Sequence, residues 1–305
     1  QAEDGIRDKL VTGVQTCGSS DLADIFEDGD SDTRTGRLSV SDVDGGPELV
    51  AQRDVPGRYG AFSVSSTGIW TYHADAAALQ ALSELSLVEE RFTVGTPDGS
   101  GHTVTIRLHG VNDPAIFTGD LDINLIEGST PGTLSGLVAV NDVDGPSALV
   151  PLNAVPGHFG TFSLSASGGW IYDINPDAVR PLNVGVDGED GFALEAADGT
   201  WTGITFRIAG TNDPAWISGA QVTLQESDAP LSAGGVLGIR DPDGSERFVP
   251  QDGVQQRYGR FFLTADGVWQ YLADEAFDEI PSGGALTEVI EVRADDGTIG
   301  TVTVT

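Results

Sequence analysis

Asn141-Asp142-Val143-Asp144-Gly145 decides the organisation of this chain, because its acidic motif recurs at two other places. Asp42-Val43-Asp44-Gly45 lies 100 residues upstream, and Asp241-Pro242-Asp243-Gly244 lies 99 residues downstream. In the same register each copy repeats one glutamate, one glycine, one tryptophan and one aspartate: Glu27, Glu127 and Glu226; Gly60, Gly160 and Gly259; Trp70, Trp170 and Trp269; Asp98, Asp198 and Asp296. A period this long, with acids, glycines and aromatics at matched offsets, indicates three copies of one unit.

Composition limits the class of protein. The 305 residues make three units of a size that can each bury its own core. Acidic residues outnumber basic ones by 47 to 15, and the resulting net charge of -32 argues against nucleic acid or an anionic membrane as partner. One Cys excludes an intrachain disulfide, and no apolar run is long enough for membrane insertion. The natural counterpart of this charge is a cation, and an acidic composition poor in cysteine and lysine and rich in glycine fits large bacterial surface or secreted proteins.

Residues 1–20 stand apart because they have no counterpart in the second and third units, which begin after Asn-Asp-Pro. This string resembles the translation of a sequencing adapter, so we expect an artefactual or disordered leader that takes no part in the fold. A genuine first strand or linker is the alternative. The expected domains are repeat one (21–113), repeat two (114–213) and repeat three (214–305), the last ending before its exit linker.

Repeat two shows the strand pattern best. Apolar and polar residues alternate from Ile116 to Leu125, which predicts a first strand. Leu134–Val140 predicts a second strand that leads into the acidic motif, and Ser165-Ala166-Ser167-Gly168 predicts the turn of a hairpin. Further turn residues bring the total to seven short strands. The predicted fold class is all-β, with each unit an antiparallel β-sandwich of immunoglobulin type.

Aromatic spacing identifies the core. Trp170 and Tyr172 are two residues apart and so lie on one face of a strand, and the other repeats keep this spacing. We predict that these rings face the core; a stacking platform for sugars or bases is the less favoured interpretation, because the residue between the rings varies. Asp75–Leu87 is the one helix-prone stretch and should form a short helical turn at most.

Strand direction gathers the acidic motifs at the two junctions between repeats. Loops after the second and sixth strands return to the end where the entry linker arrives, whereas the glutamate after the first strand lies at the exit end. The expected ligands at junction one are Glu27, Asn112, Asp113, Asp142, Asp144 and Asp198. Those at junction two are Glu127, Asn212, Asp213, Asp241, Asp243 and Asp296. Carboxylates at this density repel unless a hard cation binds, and about six to eight oxygen ligands suit Ca²⁺.

Turn formation is the simpler explanation of each acidic motif taken alone, because Asp and Gly are favoured turn residues. Calcium is the favoured hypothesis because three motifs map to the same end of each unit and recur together. An EF-hand is excluded, since Gly145 directly follows the second Asp and the ninth and twelfth loop positions are missing. Mg²⁺ is less suitable because it demands a strict octahedral shell.

A family resemblance rests on five segments of repeat two: Asp142–Gly145, Gly160–Phe162, Gly169–Tyr172, Asp198–Gly199 and Gly210–Ala215. Together they resemble VCBS repeats, the bacterial cadherin-like modules of large RTX-type adhesins. The resemblance implies three tandem immunoglobulin/cadherin-like β-sandwich domains with calcium at their linkers. It also implies a spacer or adhesive arm in cell adhesion or biofilm formation.

Enzymatic activity is not expected. The four histidines stand at unrelated positions of the repeats, and there is no nucleophile elbow, phosphate-binding glycine loop or zinc-protease motif. The alternatives to a structural arm are a module that recognises a surface glycan or protein and an accessory domain of a secreted enzyme. Trp201 and Trp216 are the aromatics unique to one repeat, and we expect Trp216 to pack against the neighbouring domain. The expected partners are calcium ions and neighbouring repeats of a monomeric chain.

Overall fold

The computed structural model describes residues 13–15, 21–41, 46 and 48–305. The first copy of the acidic motif, Asp42–Gly45, therefore lies outside the described residues, as does most of the expected leader. Within the described part, the chain forms 27 strands and two one-turn helices. The predicted all-β class is confirmed.

The elements follow the three repeats. Those of repeat one, with one strand before it, are β1 (Gly13–Gln15), β2 (Leu22–Phe26), β3 (Thr33–Arg37), β4 (Ser39–Ser41), β5 (Gln52–Pro56), β6 (Gly60–Val64), β7 (Ile69–Ala74), α1 (Ala76–Leu79), β8 (Leu87–Gly95) and β9 (Gly101–His109). Those of repeat two are β10 (Ile116–Thr118), β11 (Asp122–Ile126), β12 (Thr133–Leu137), β13 (Ala139–Asn141), β14 (Leu152–Pro156), β15 (Gly160–Leu164), β16 (Gly169–Ile174), α2 (Pro176–Val179), β17 (Asp187–Glu195) and β18 (Trp201–Ala209). Those of repeat three are β19 (Trp216–Ile217), β20 (Ala220–Val222), β21 (Ser232–Val236), β22 (Ile239–Arg240), β23 (Gln251–Gln255), β24 (Gly259–Leu263), β25 (Val268–Ala273), β26 (Glu288–Arg293) and β27 (Ile299–Val304).

Each repeat is a sandwich of a four-stranded and a three-stranded sheet. In repeat two the sheets have the orders β12-β16-β15-β14 and β11-β18-β17, and β10 pairs separately with β13. Burial alternates residue by residue along β17, as expected of a strand with one face in a core. The predicted hairpin joins β15 to β16, and Gly168 in its turn has φ of 88°. The prediction of three tandem sandwiches is confirmed.

The predicted first strand is two strands. β10 ends at Thr118, and Gly119, with φ of 137°, turns the chain towards the opposite sheet. There β11 runs parallel to β18, so each repeat has one parallel pair in an otherwise antiparallel arrangement. The alternation of apolar and polar residues is the same whether the segment forms one strand or two. Only Gly119, which tolerates positive φ, marks the end of one strand and the start of the next.

The expectation that residues 1–20 take no part in the fold is wrong for Gly13–Gln15. These three residues pair antiparallel with Ser39–Ser41. The same pairing joins Ile116–Thr118 to Ala139–Asn141 in repeat two. Hydrogen bonds along a strand edge are made by the backbone. A strand can therefore pair at this edge without sequence similarity to the equivalent strand of repeat two.

The three tryptophans are core residues, as predicted. Trp70, Trp170 and Trp269 are 1%, 6% and 5% exposed, and the tyrosine two residues after each is also buried. Each belongs to a separate apolar cluster. In repeat two the indole lies against Gly136, where an added Cβ would come within 2.3 Å of the ring.

Short helical turns occur at the predicted place in repeat one and at the matching place in repeat two. Asp75 caps α1 by accepting a hydrogen bond from the amide of Ala77 at 3.0 Å. Asn175 caps α2 in the same way. Repeat three has no helix at this place, and there Phe277 has a positive φ of 62°.

One buried acid in each repeat fastens the two sheets together. Asp190 on β17 is 4% exposed and accepts hydrogen bonds from the amides of His158 and Phe159 at 2.6 and 3.0 Å. The same carboxylate accepts a bond from the Tyr172 hydroxyl at 2.7 Å. These donors belong to the opposite sheet and its β14–β15 turn. Gly157 in that turn allows the approach, since a Cβ there would lie 2.2 Å from Asp190 Oδ2.

The other repeats contain the same arrangement. Glu90 and Glu288 are 7% and 9% exposed and accept hydrogen bonds from Tyr72 and Tyr271 at 2.6 and 2.8 Å. We call Glu90, Asp190 and Glu288 the clamp acids. Burial and the bond to the clamp acid raise the pKa of each tyrosine far above its usual value. Each tyrosine therefore stays protonated at neutral pH and can donate this hydrogen bond.

Candidate metal sites at the repeat junctions

The Asp-x-Asp-Gly loop holds its first aspartate in a fixed position. Asp142 Oδ1 accepts hydrogen bonds from the amides of Asp144 and Gly145 at 3.2 and 2.7 Å. Asp241 Oδ1 accepts the matching bonds in repeat three, also at 3.2 and 2.7 Å. A Cβ at Gly145 would lie 2.5 Å from Asp142 Oδ2, which explains the glycine. The first aspartate thus forms the turn with one oxygen and keeps the other available.

Six carboxylate oxygens at the junctions are buried without a hydrogen-bond partner. They are Asp113 Oδ2, Asp142 Oδ2, both Oδ atoms of Asp144, Asp241 Oδ2 and Asp243 Oδ1. A buried carboxylate oxygen with no donor is costly, because the group loses water and gains nothing in return. A hard cation would compensate this loss, and carboxylate oxygens are the ligands that Ca²⁺ prefers. The donor set therefore fits the predicted metal.

Asp198 ties repeat two to its entry linker at junction one. Its Oδ2 accepts hydrogen bonds from the Ala115 amide at 3.0 Å and from Asn112 Nδ2 at 3.4 Å. Burial acts to raise its pKa, but bonds from Thr200, Ala115 and Asn112 outweigh this and lower the pKa to about 2. Asp198 is therefore an anion that orients Asn112.

Glu27 approaches junction one from repeat one. It is 2% exposed, and its Oε2 accepts a hydrogen bond from the Val111 amide at 2.9 Å. Its Oε1 accepts a bond from Gln80 Nε2 at 3.1 Å. The carboxylate is thereby fixed beside the linker that enters repeat two.

Like charges meet at junction one. Burial raises the pKa of Glu27, and Asp113, Asp28 and Asp144 raise it further by repulsion. Burial also raises the pKa of Asp113, with repulsion from Asp28 and Asp142. Asp144 behaves in the same way, through burial and its contact with Asp142. Acids of both repeats and of the linker thus share one electrostatic site.

Junction two repeats the linker contacts. Asp296 Oδ2 accepts a hydrogen bond from the Ala215 amide at 2.9 Å, and Asn212 also bonds to this carboxylate. Burial acts against ionisation, but bonds from Thr298, Ala215 and Asn212 lower the pKa of Asp296. Asp296 therefore orients Asn212 as Asp198 orients Asn112.

The remaining predicted ligands of junction two lie along the same linker. The Asp213 amide donates to Asp243 Oδ2 at 3.2 Å. Glu127 is 8% exposed and accepts a hydrogen bond from the Thr211 amide at 3.0 Å. Burial raises the pKa of Asp241, and contact with Asp243 raises it further. Each predicted ligand of this junction is thus in contact with the linker or with another predicted ligand.

The two junctions differ in charge at two places: Asp28 of repeat one corresponds to Gly128, and Arg180 of repeat two corresponds to Gln80. Arg180 of repeat two lies 3.6 Å from Asp213, measured from Nε to Oδ2. At the equivalent position repeat one has Gln80, which is neutral. Asn183 adds a hydrogen bond to the Asp243 carbonyl at 3.1 Å. Junction two is therefore partly neutralised by the protein, and junction one is not.

A third acidic group lies at the exit end of repeat three. Among the described residues, only Glu226, Asp228 and Asp278 offer three acidic ligand oxygens all within 4.8 Å of one another, and all three residues are exposed. Glu226 occupies the position of Glu27 and Glu127 in the register. Among the described residues, no three acidic residues of either junction bring ligand oxygens within 4.8 Å of one another.

The sequence analysis missed Asp28 and the clamp acids. Asp28 has φ of 54°, and Gly128 has φ of 69° at the same place in repeat two. Aspartate is among the residues that tolerate positive φ. The alignment of Asp28 with Gly128 could therefore have revealed a turn that places an acid at junction one. The clamp acids could have been found as acids that follow each core tyrosine by 18, 18 and 17 residues.

Two tryptophans lie on the surface. Trp201 is 74% exposed at the start of β18, and Trp216 is 63% exposed. The expectation that Trp216 packs against the neighbouring domain is therefore wrong. Its backbone pairs with Arg240, while the contacts between repeats are made by Asp213, Arg180 and Asn183.

Comparisons with known proteins give fold likenesses at low identity. No family model and no curated protein matches the chain. The human CDH23 EC21-23 structure is 16% identical with a TM-score of 0.44, over 96% of this chain and 99% of that one. Mouse Cadherin-23 EC22-24 is 14% identical with a TM-score of 0.41, over 96% and 97%. The Protocadherin GammaB4 extracellular domain is 14% identical with a TM-score of 0.43, and the matched region is 49% of that chain's length.

Identities this low carry no information on ligands or partners. The described residues also contain no helix with the length and apolar character needed to span a membrane.

Proposed function

We propose that the chain is a non-enzymatic segment of a bacterial cell-surface or secreted adhesin, built from VCBS-type domains (21–113, 114–213 and 214–305). In this proposal calcium at the two junctions stiffens the segment into an extended arm for cell adhesion or biofilm formation. The observation that carries it is the set of buried junction carboxylate oxygens without hydrogen-bond partners. The net charge of -32 also favours a cationic ligand over an anionic one.

Twelve side chains would hold the ions. At junction one these are Glu27, Asn112, Asp113, Asp142, Asp144 and Asp198, and at junction two Glu127, Asn212, Asp213, Asp241, Asp243 and Asp296. Glutamates come from the repeat before each linker, and the remaining aspartates from the linker and the repeat after it. An ion bound to both sides would oppose bending of the linker. We expect affinities on the order of 10⁻⁴ to 10⁻³ M, as in extracellular calcium modules.

Small-angle scattering of the whole chain tests the proposal. With millimolar Ca²⁺ the maximum dimension should become larger and more sharply defined than with chelator, because repulsion between the junction acids is removed. The variant Asp241→Asn/Asp243→Asn should respond less. Its control, Asp252→Asn/Glu291→Gln, removes the same charge from exposed strand positions and should respond like the parent. The same scattering curve in every condition would contradict a calcium-stiffened arm.

Recognition of a glycan is the second candidate, favoured by the exposed ring of Trp201. This indole lies on β18 opposite Glu195, and small residues, Ala193 and Gly203, form the next pair on the same face of the sheet. A flat surface beside an aromatic ring suits stacking against a sugar. On a glycan array, Trp201→Ala should lose a signal that Ile299→Ala, the matched change in repeat three, retains. If the parent protein gives no signal, this candidate fails and the calcium proposal is unaffected.

A further inference from the structure

Repeat two differs from the other repeats on the outer face of its three-stranded sheet. Along β17 and β18 exposed residues alternate with less exposed ones, so every second residue lies on this face. Five exposed residues share it: Gly191, Ala193, Glu195, Trp201 and Gly203. The register pairs Trp201 with Glu195 and Gly203 with Ala193. The exposed indole therefore lies beside small residues, and we call this group of five the indole face.

The two glycines of the indole face are not required by the fold. Neither Gly191 nor Gly203 is among the glycines with positive φ. A Cβ would meet no atom within 4 Å at Gly191, and at Gly203 it would meet only the Phe192 carbonyl oxygen, at 3.9 Å. Glycine inside a strand weakens the strand, and it often marks a place where a ligand comes close to the backbone. Both positions have room for a larger residue, and glycine keeps the surface open.

Larger side chains occupy the same surface in the other two repeats. The equivalents of Gly191, Ala193 and Gly203 are Arg91, Thr93 and Thr103 in repeat one, and Val289, Glu291 and Thr301 in repeat three. At the position of Trp201, repeat one has Gly101 and repeat three has Ile299. Among the three repeats, repeat two alone combines an aromatic ring with a bare sheet surface.

A backbone acceptor at the edge of the indole face has also lost its partner. In repeat one Gln52 Nε2 donates to the Thr93 carbonyl at 2.9 Å, and in repeat three Gln251 makes the matching bond, also at 2.9 Å. Repeat two has Leu152 at this position, whose side chain has no donor. Within the described residues, no side chain donates to the equivalent carbonyl, that of Ala193. This acceptor is therefore free to bond to a ligand.

The charges of this face favour a neutral ligand with hydroxyl groups. Beside the indole, Glu195 and the free carbonyl are both acceptors. Arg207 lies on the same face about 20 Å along the strand from Trp201. Its Nε is 3.1 Å from Glu189 Oε2, and its Nη1 is 3.4 Å from Asp122 Oδ1, so its charge is already compensated. Hydroxyl groups supply the donors that the acceptors need, whereas an acidic sugar would meet a carboxylate.

We propose that the indole face of repeat two binds a neutral pyranose unit of a polysaccharide, which rests on the second candidate function above, glycan recognition at Trp201. The apolar face of the sugar ring stacks on the indole. Gly203 follows two residues along the strand, about 7 Å away, so the ring occupies the space that a side chain at this position would fill. Hydroxyl groups of the sugar donate to Glu195 and to the Ala193 carbonyl, and these bonds orient it.

Affinity electrophoresis of the whole chain tests the class of ligand. The gels contain hydroxyethylcellulose, laminarin or galactomannan as neutral polysaccharides, and polygalacturonate as the acidic comparison. At least one neutral polysaccharide should retard the parent protein, and polygalacturonate should not. Trp201→Ala should weaken the binding at least about tenfold, because the stacking surface is removed.

Two further variants test the indole face itself. Gly203→Thr introduces the residue type of Thr103 and Thr301, and it should weaken binding at least about tenfold by filling the space beside the indole. It should also raise the melting temperature of repeat two by about 2 to 8 °C, because threonine suits a strand better than glycine. Leu152→Gln supplies the missing donor to the Ala193 carbonyl and should weaken binding about three- to tenfold. The control Thr301→Gly should lower the melting temperature of repeat three and keep the affinity of the parent.

Four results would overturn the proposal, and they separate it from the glycan candidate. A parent that no neutral polysaccharide retards would contradict both. Binding that Trp201→Ala loses but Gly203→Thr and Leu152→Gln retain in full would leave glycan recognition at Trp201 and exclude the rest of the indole face. Stronger retardation by polygalacturonate would show that the ligand is acidic. Release of the polysaccharide by millimolar tetramethylammonium would show that the indole binds a cation.

Discussion

The clamp acids and the acids of the Asp-x-Asp-Gly loops are both partly or fully buried carboxylates that recur in the repeats, yet their surroundings are opposite. Asp190 accepts bonds from two amides and a tyrosine hydroxyl, with donors on both of its oxygens. Asp144 has both oxygens buried without a partner. The protein itself supplies the donors that the first acid needs. The second acid is left for something outside the chain to satisfy.

This difference separates a structural role from a binding role. A carboxylate with a complete set of donors stabilises the native state without an ion. A carboxylate that is buried with no donor destabilises the native state until a cation binds. Variants of the two kinds of acid should therefore behave differently, and equal behaviour would contradict the distinction.

The largest effect is expected at a clamp acid. Asp190→Ala leaves two amides and the Tyr172 hydroxyl without an acceptor, and at about 1 to 3 kcal/mol each the unfolding free energy of repeat two should fall by about 3 to 9 kcal/mol. Urea unfolding measures this loss, which should be the same with Ca²⁺ and with chelator. Tyr172→Phe, which removes one bond, should cost about 1 kcal/mol. A loss for Asp190→Ala below that of Tyr172→Phe would mean that the clamp does not fasten the sheets.

A junction variant should show the reverse dependence on calcium. In chelator, Asp142→Asn/Asp144→Asn should be no less stable than the parent, because it removes repulsion. At a Ca²⁺ concentration 100 times the dissociation constant, the parent should gain about 2.7 kcal/mol for each junction by mass action, and the variant should lose the gain of junction one. Thermal unfolding in both buffers compares the two. If the variant is destabilised equally in both, the junction acids act as turn residues.

The pH dependence in chelator should also distinguish the groups. Glu27, Asp113, Asp144 and Asp241 have raised pKa values, so the folded state takes up their protons more readily than the unfolded chain. Unfolding free energy should therefore rise as pH falls from neutral through the raised values, with the gain complete below the ordinary values of 4.5 and 3.8.

Asp198 acts in the opposite sense, because its pKa is lowered to about 2. The stability it contributes is present above 3.8 and is lost as pH falls towards 2. Chemical unfolding from pH 7 to pH 3 measures both effects. The rise that acidification produces in chelator should disappear when Ca²⁺ is present, since the ion competes with the protons. A monotonic fall with acid in chelator would show that the junction acids do not repel one another.

The smallest effect is expected from the charge of Arg180, which corresponds to the neutral Gln80 at junction one. Arg180→Gln should strengthen calcium binding at junction two about two- to fivefold, and Gln80→Arg should weaken it at junction one by a similar factor. A charge in partly exposed surroundings contributes about 0.5 to 1 kcal/mol. Calcium titration calorimetry measures both variants. Equal affinities in both variants and the parent would place Arg180 and Gln80 outside the binding sites.

Sequence reasoning found those parts of the molecule that depend on local periodicity. Trp170 and Tyr172 could be placed in the core because strand side chains alternate, whatever the strand pairs with. The contact of Asp198 with Asn112 followed from strand direction alone. The separation of β10 from β11 did not follow, because it depends on one glycine angle, at Gly119.

Three other long-range contacts, those of Asp190, β1 and Arg180, were not predicted from the sequence. Asp190 is 31 and 32 residues from its amide donors and lies on a different sheet, so nothing local marks it as a clamp. β1 could not be predicted either, because its pairing uses backbone groups only. The contact of Arg180 with Asp213 depends on how a loop of repeat two lies against the linker. The repeat pattern does not predict that placement.

Calcium titration calorimetry of the whole chain tests the central claim most directly. Binding should be detectable in the submillimolar to millimolar range, and Asp142→Asn/Asp144→Asn and Asp241→Asn/Asp243→Asn should each abolish a different part of the heat. Combining both pairs should abolish nearly all of it, while the charge-matched control Asp252→Asn/Glu291→Gln should keep it. Binding that is absent in the parent, or that decreases equally in the control and in the junction variants, would contradict the account.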